Sequence, residues 1–171
     1  MKNTAIILAA GSGKRMNSNV KKQYIEILGR PLLWYTLNAF EKSELIQEII
    51  LVTSGEDMGY CRKNLVENYG FSKVRGIVCG GRERYHSVRE GILAIEKGGG
   101  CDYVFVQDGA RPFVSEEMLL RLFNDVTECN ACVAAVKAKD TIKISDEEDY
   151  VSSTPNRNLT WIIQTPQVFG Y

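Results

Sequence analysis

Thr4-Ala5-Ile6-Ile7-Leu8-Ala9-Ala10-Gly11-Ser12-Gly13-Lys14-Arg15-Met16 opens with a continuous apolar run, Ala5 to Leu8, of the length expected for a strand buried on both faces. Alanines and glycines follow, which let a backbone pass close to another object. Two cations, Lys14 and Arg15, come next. A buried strand running into a small-residue loop with positive charge is how a parallel sheet presents backbone N–H groups to a phosphate. The same residues would also serve as an ordinary glycine turn with solvated charges. Two familiar phosphate loops do not fit. The dinucleotide fingerprint needs a glycine where Met16 stands, and the Walker loop needs glycine at Leu8 and serine or threonine at Arg15.

Outward from this stretch, strands and helices alternate. A helix starting at Pro31 buries Leu33, Leu37 and Phe40, and Glu48–Thr53 reads as a strand. A helix over 57–69 puts Met58, Cys61, Leu65 and Tyr69 on one face, and a strand follows at 75–79. Ser87 and Glu90 have the spacing of a capping box for a helix running to Lys97. Strand 102–107, a Ser115-capped helix and strand 131–137 complete the alternation. The pattern predicts an α/β fold with a doubly wound, mostly parallel, Rossmann-like sheet. From Lys139 to Thr160 the helical period vanishes. Short β-like pieces at 141–145 and 151–154 flank the acidic turn Asp146–Asp149, and this 138–160 excursion is read as a β-arm. A last strand is expected at 159–164.

The 171 residues suit a single domain, 1–171, with an ordinary 44% hydrophobic and 25% charged content. The formal net charge is zero, so bulk electrostatics gives no reason for nucleic-acid or membrane binding. Five cysteines cannot all pair internally, which favours a reducing, cytoplasmic setting. Cys129-x-x-Cys132 has no second pair and reads as two unlinked thiols at a helix end and a strand start. Lys2 with the apolar run 4–10 is too short for a signal peptide, and no stretch is long enough to span a bilayer.

Doubly wound sheets bind ligands beyond the carboxyl ends of their strands. That rule gathers loops 9–24, 80–87 and 107–114 at one crevice. They bring Lys14, Arg15, Lys21 and Lys22, then Gly80, Gly81 and Ser87, then Asp108 and Arg111. Four cations opposite a carboxylate suit a polyphosphate with a divalent metal. Each piece also has a simpler reading: Lys21 and Lys22 as a solvated pair, Asp108 and Arg111 as a surface ion pair. His86 is the only histidine, which excludes a histidine-based triad and places it beside the helix cap.

Taken together, the segments Leu8–Met16, Lys22-Gln23-Tyr24, Gly80-Gly81 with Arg84 and Ser87-Val88, Asp108-Gly109-Ala110-Arg111-Pro112, Asp140-Thr141, Arg157 and Thr165-Pro166-Gln167 resemble the 2-C-methyl-D-erythritol 4-phosphate cytidylyltransferases of the non-mevalonate isoprenoid pathway. The resemblance implies a nucleotidyltransferase that uses CTP, a sugar-alcohol phosphate and Mg²⁺. It implies that Ala9, Ala10, Gly11, Gly81 and Ser87 hold the cytidine, and that Arg15 and Lys22 hold the triphosphate and stabilise charge on the α-phosphate. Asp108 would bind the metal or the second substrate, and Arg111, Thr141 and Arg157 the methylerythritol phosphate. It further implies a homodimer through the 138–160 arm, with Thr141 and Arg157 acting in trans. Two departures stand out. The family commonly has proline where Lys21 stands, so a less rigid loop is expected. The family also continues past the position of Tyr171 with a strand and a helix carrying a lysine, so the domain is expected to be incomplete at its C-terminal side. A ribitol-type alditol-phosphate cytidylyltransferase and a nucleotide-binding module without turnover are the alternatives.

Overall fold

A computed structural model describes residues 1–11 and 20–171. Strand β1 (Asn3–Ala9) is the apolar run that opens the sequence, and Thr4 to Ile7 have no solvent exposure. Its neighbours are β4 (Glu48–Thr53) and β6 (Tyr103–Asp108), both parallel to it, and β5 (Val74–Cys79) lies parallel beyond β4. Two more strands complete a six-stranded sheet in the order β5-β4-β1-β6-β10-β7. They are β7 (Ala131–Lys137) and β10 (Trp161–Gly170).

Alternate residues of the strands feed opposite faces. On one face Ile7, Ile49, Leu51 and Phe105 pack with Leu33, Leu37 and Phe40 of α1 (Leu32–Lys42) and with Leu119, Leu122 and Val126 of α4 (Glu116–Cys129). On the other face Ile6, Ile50, Val52, Val104 and Val106 pack against Ile95 of α3 (Arg84–Lys97). Gly91 lets α3 sit this close: a Cβ there would lie 2.7 Å from Ile6 Cγ2.

The chain winds from β1 outward to β4 and β5, then crosses back through α3 to start β6 on the other side of β1. The winding direction therefore reverses between β1 and β6, where a doubly wound sheet opens a ligand crevice. β10 is antiparallel to both β6 and β7 and slots between them, with a register shift between Ile163 and Gln167. The sheet is thus mostly parallel, as expected, but its last strand is longer than the predicted 159–164 and sits inside the sheet.

Other boundaries differ for local reasons. Pro31 is the N-cap of α1, not its first turn, with φ −59° and ψ 144°. The helix expected at 57–69 begins as a 3-10 turn (Gly55–Asp57), passes through α2 (Met58–Tyr60) and continues as a π-helical stretch (Cys61–Glu67), with Cys61 and Leu65 buried as the pattern requires. The expected Ser87 capping box is a correction. α3 starts one turn earlier, where Glu83 and His86 cap each other reciprocally. This leaves Ser87 on the inner face, 4% exposed, for another task. Ser115 does cap α4, accepting from the Met118 N–H at 3.2 Å. Cys129 and Cys132 stand unlinked at the end of α4 and in β7.

The short antiparallel pair β2 (Glu26–Ile27) and β3 (Arg30–Pro31) precedes α1, and the arm is a small hairpin of β8 (Ile144–Ser145) and β9 (Val151–Ser153). Asp146 holds the hairpin turn by accepting from the N–H groups of Glu148 and Tyr150, so the acidic run is a solvated turn. Among the described residues, no helix is long and apolar enough to cross a membrane.

Candidate active site

The carboxyl ends of β1, β5 and β6 meet as the winding requires. Glycines make the meeting possible. A Cβ on Gly80, just after β5, would lie 2.5 Å from Ala10 Cβ and 2.7 Å from Ser87 Oγ. A Cβ on Gly109, just after β6, would lie 2.8 Å from Leu33 Cδ1 and 2.9 Å from the Leu8 carbonyl oxygen. The Gly109 N–H donates to that same Leu8 oxygen at 2.7 Å, which locks the β6 loop to the end of β1. Ala9, Ala10, Gly11, Gly81 and Ser87 therefore gather around one small-residue junction. The Ser87 hydroxyl accepts from the Gly81 N–H at 3.2 Å and donates to the Glu83 carbonyl at 3.3 Å, so it shapes the Gly80-Gly81 turn from inside.

Lys22 sits on a 3-10 turn (Lys22–Tyr24) beside this junction. The buried Gln23 carboxamide donates to the Ala9 carbonyl at 2.7 Å and to the Gly11 carbonyl at 3.1 Å. This ties the Lys22 turn to the loop after β1. Tyr24 anchors the other side, its hydroxyl 3.0 Å from Thr53 Oγ1 and 3.3 Å from Cys61 Sγ. Burial pushes the Tyr24 phenol well above its ordinary pKa and raises the Cys61 thiol too, so both stay protonated as neutral hydrogen-bonding groups. Lys22 itself is exposed, and its amine has no hydrogen-bond or ion-pair partner among the described residues.

Lys21 is placed differently from its sequence expectation. Its ammonium binds Asp57 Oδ2 at 2.7 Å, Ser54 Oγ at 3.2 Å, and Glu56, all in the loop after β4. It is therefore already engaged by carboxylates of the chain. Lys14 and Arg15 lie outside the described residues.

Asp108 ends β6. Its Oδ1 accepts from Arg84 Nε and Nη2 at 3.2 and 3.1 Å, and its Oδ2 from Arg111 Nε at 3.1 Å. Arg84 also donates to Gln167 Oε1 at 3.3 Å, and Arg111 donates to Gln164 Oε1. The Asp108 N–H donates to Thr165 Oγ1 at 3.3 Å. The antiparallel strand β10 thus braces this carboxylate, which is why Thr165 and the glutamines beside it matter. Arg84 and Gln167 have no assignable role in the sequence alone, because each lies far along the chain from Asp108.

Thr141 and Arg157 are not brought to Asp108 or Arg111 by any bond. Thr141 is exposed on the arm, and Arg157 donates to the Lys139 carbonyl at 3.3 Å. No group of three or more His, Cys, Asp or Glu side chains forms a metal cage among the described residues.

A mostly parallel sheet with glycines at its winding reversal, a lysine on a turn tied to the loop after β1 and an arginine-held aspartate at the end of β6 is the arrangement of an α/β nucleotidyltransferase. Residues 3–171 match the family model of IspD, 2-C-methyl-D-erythritol 4-phosphate cytidylyltransferase. The protein of that name from Lachnospira eligens is 47% identical over 98% of this chain and 72% of its own length, and the one from Lachnoclostridium phytofermentans is 45% identical over 98% and 70%. The crystal structure of 4-diphosphocytidyl-2C-methyl-D-erythritol synthase from Anaerococcus prevotii superposes with a TM-score of 0.83 at 39% identity, covering 99% of this chain and 70% of that one. The Francisella tularensis enzyme gives 0.79 at 29% identity, covering 99% and 73%. The chain belongs to the 2-C-methyl-D-erythritol 4-phosphate cytidylyltransferase family.

Proposed function

We propose that the crevice between β1 and β6 transfers the cytidylyl group of CTP to 2-C-methyl-D-erythritol 4-phosphate, the reaction of this family in isoprenoid precursor synthesis. The acceptor phosphate is already an anionic nucleophile near neutral pH. Its oxygen forms a bond to the α-phosphorus of CTP, the bond to the β-phosphate bridging oxygen breaks, and pyrophosphate leaves with that electron pair. No protein base is needed. The protein's task is to align the two phosphates and to neutralise the charge that builds between them.

The observation that carries this reading is the state of Lys22. It is an exposed cation without a partner among the described residues, on a turn whose neighbours are hydrogen-bonded on both sides, next to the Ala9–Gly11 backbone. A pre-placed ammonium is suited to a triphosphate, and Arg15 would join it there. Gly81 and Ser87 would meet the pyrimidine. Arg111, released from or shared with Asp108, would meet the sugar-alcohol phosphate.

Magnesium fits this donor set. Mg²⁺ is usually held by one or two carboxylates together with substrate phosphates. A carboxylate has about four lone-pair sites, and Asp108 uses three in accepting from Arg84 and Arg111, which leaves one on Oδ2. Asp108 would hold the ion, which supplies further neutralisation of phosphate charge.

The arm supports a homodimer. Ile144, Tyr150, Val151 and Leu159 are between half and four-fifths exposed, and Trp161, Ile162 and Ile163 at the start of β10 are open as well. A second copy would cover these side chains, and a twofold pair is the commonest way to do so. In such a dimer Thr141 and Arg157 would serve the partner's crevice. The five free cysteines support a reducing, cytoplasmic setting.

The test is Lys22→Ala, which should cut turnover by on the order of a hundredfold or more while the far-UV spectrum is unchanged. Unchanged turnover would remove Lys22 from the chemistry.

A further inference from the structure

Lys21 is engaged by carboxylates of the chain and makes a dense set of polar contacts. Its backbone lies at φ −61° and ψ 139°, and its carbonyl accepts from the Tyr24 N–H at 2.9 Å to close the turn that carries Lys22. Its side chain runs the other way, to the loop after β4, where the ammonium meets Ser54, Asp57 and Glu56. Ser54 Oγ also donates to Asp57 Oδ2 at 2.6 Å, so the acceptor carboxylate is itself fixed. Asp57 is the partner that matters: its side chain is 18% exposed against 73% for Glu56, and an exposed ion pair contributes little.

We propose that Lys21 is a positioning residue, a side-chain strap that fastens the Lys22 turn to the end of β4 and so holds the Lys22 ammonium in place for the triphosphate. The proposal rests on the reading of Lys22 given above. The turn is then tied at three points. Gln23 ties it to the loop after β1, Tyr24 to Thr53 and Cys61, and Lys21 to the Ser54–Asp57 loop. Among the described residues Lys22 makes no such tether, and it is the residue that must meet the ligand. Bonding shifts the Lys21 ammonium further toward its charged form, with Asp57 the main cause and Glu56 the next, so the strap is intact across the neutral range.

The backbone suggests a direct way to separate strap from charge. A φ of −61° is the value a proline ring imposes, and the Lys21 N–H donates to no acceptor among the described residues. Lys21→Pro can therefore stiffen the same backbone without any ion pair. Lys21→Met removes the strap and keeps the apolar stem. Lys21→Arg keeps the charge.

The experiment measures steady-state turnover, and hydrogen exchange of the amides of residues 22–25, for these variants alone and in a Lys22→Ala background. Lys21→Met is expected to lower kcat about tenfold, with KM for CTP little changed, because misplacement of a charge by about an ångström costs rate and not binding. Exchange in 22–25 should quicken. Lys21→Pro and Lys21→Arg should each restore most of the rate and the protection. In the Lys22→Ala background, Lys21→Met should add nothing further. Unchanged kcat and unchanged exchange in Lys21→Met would overturn the strap, as would an equal loss of rate in the Lys22→Ala background, which would mark a general effect on the fold. If Lys21→Met loosens the turn but Lys22→Ala itself keeps wild-type turnover, the strap stands and the role given to Lys22 is wrong.

Discussion

Replacing Gln23 with leucine should uncouple the Lys22 turn from the nucleotide loop. Gln23 is 4% exposed and donates to two backbone carbonyls, at 2.7 Å to Ala9 and 3.1 Å to Gly11. Leucine fills much of the same volume but donates to neither. Each lost bond is worth about 1 kcal/mol net, so the loss is about 2 kcal/mol, more if a carbonyl stays dry and unpaired. For a chain of this size that lowers Tm by roughly 4–8 °C. Gln23→Glu should cost more, because a carboxylate then faces two carbonyl oxygens with no donor between them. The readouts are thermal unfolding without ligand and the further rise in Tm given by CTP with Mg²⁺. Both should fall in Gln23→Leu, since the Ala9–Gly11 backbone that meets the nucleotide loses its brace. A Gln23→Leu protein that melts within about 1 °C of wild type and gains the same increment from CTP would refute the brace, because the two bonds would then be doing less than a single average hydrogen bond.

Gly80→Ala puts a methyl 2.5 Å from Ala10 Cβ and 2.7 Å from Ser87 Oγ, so the loops after β1 and β5 must part. CTP affinity measured by calorimetry should weaken at least about tenfold while the secondary structure is retained, since overpacking of this kind costs on the order of 1–3 kcal/mol. The Lys21–Asp57 strap also gives a pH signature. Burial alone would raise the Asp57 carboxyl, but the bonds from Lys21 and Ser54 outweigh it and hold it below its ordinary 3.8, so its contribution is present above that value and lost as pH falls through the lowered pKa. Lys21 is held above its ordinary 10.5, so its contribution is present below that value and lost as pH rises through the raised pKa. The Tm gap between wild type and Lys21→Met should be constant through the neutral range and close at both extremes. A gap that varies between pH 6 and 8, roughly, would contradict the pairing.

Much of this architecture is legible because the residues that set it are local. The apolar run in β1, the buried Ile49–Thr53 run of β4 and the Ser115 cap each announce themselves within a few positions. The crevice follows from the winding rule; Gly80 lies against Ser87 there, and Asp108 is bonded to Arg84 of the same helix as Ser87. What the sequence hides depends on distant partners. Lys21 and Lys22 are adjacent and alike in sequence, yet one is claimed by Asp57, far along the chain, and the other has no partner among the described residues. Ser87 has the spacing of a cap, but Glu83 with His86 fulfils that role and leaves Ser87 to shape the Gly81 turn. The insertion of β10 between β6 and β7 has no periodicity signal, since an antiparallel return looks like any other strand until its neighbours are known. The loosened loop expected from a lysine at position 21 is answered by a side-chain strap on a backbone already at a proline angle. Lys14 and Arg15 lie outside the described residues.

The most direct test of the central reading is a pyrophosphate-release assay with CTP and 2-C-methyl-D-erythritol 4-phosphate in the presence of Mg²⁺. The account predicts release that requires both substrates, with one cytidylyl-methylerythritol product formed per pyrophosphate, and little release when ribitol phosphate replaces the acceptor. CTP binding without release, or release with ribitol phosphate and not with methylerythritol phosphate, would contradict it.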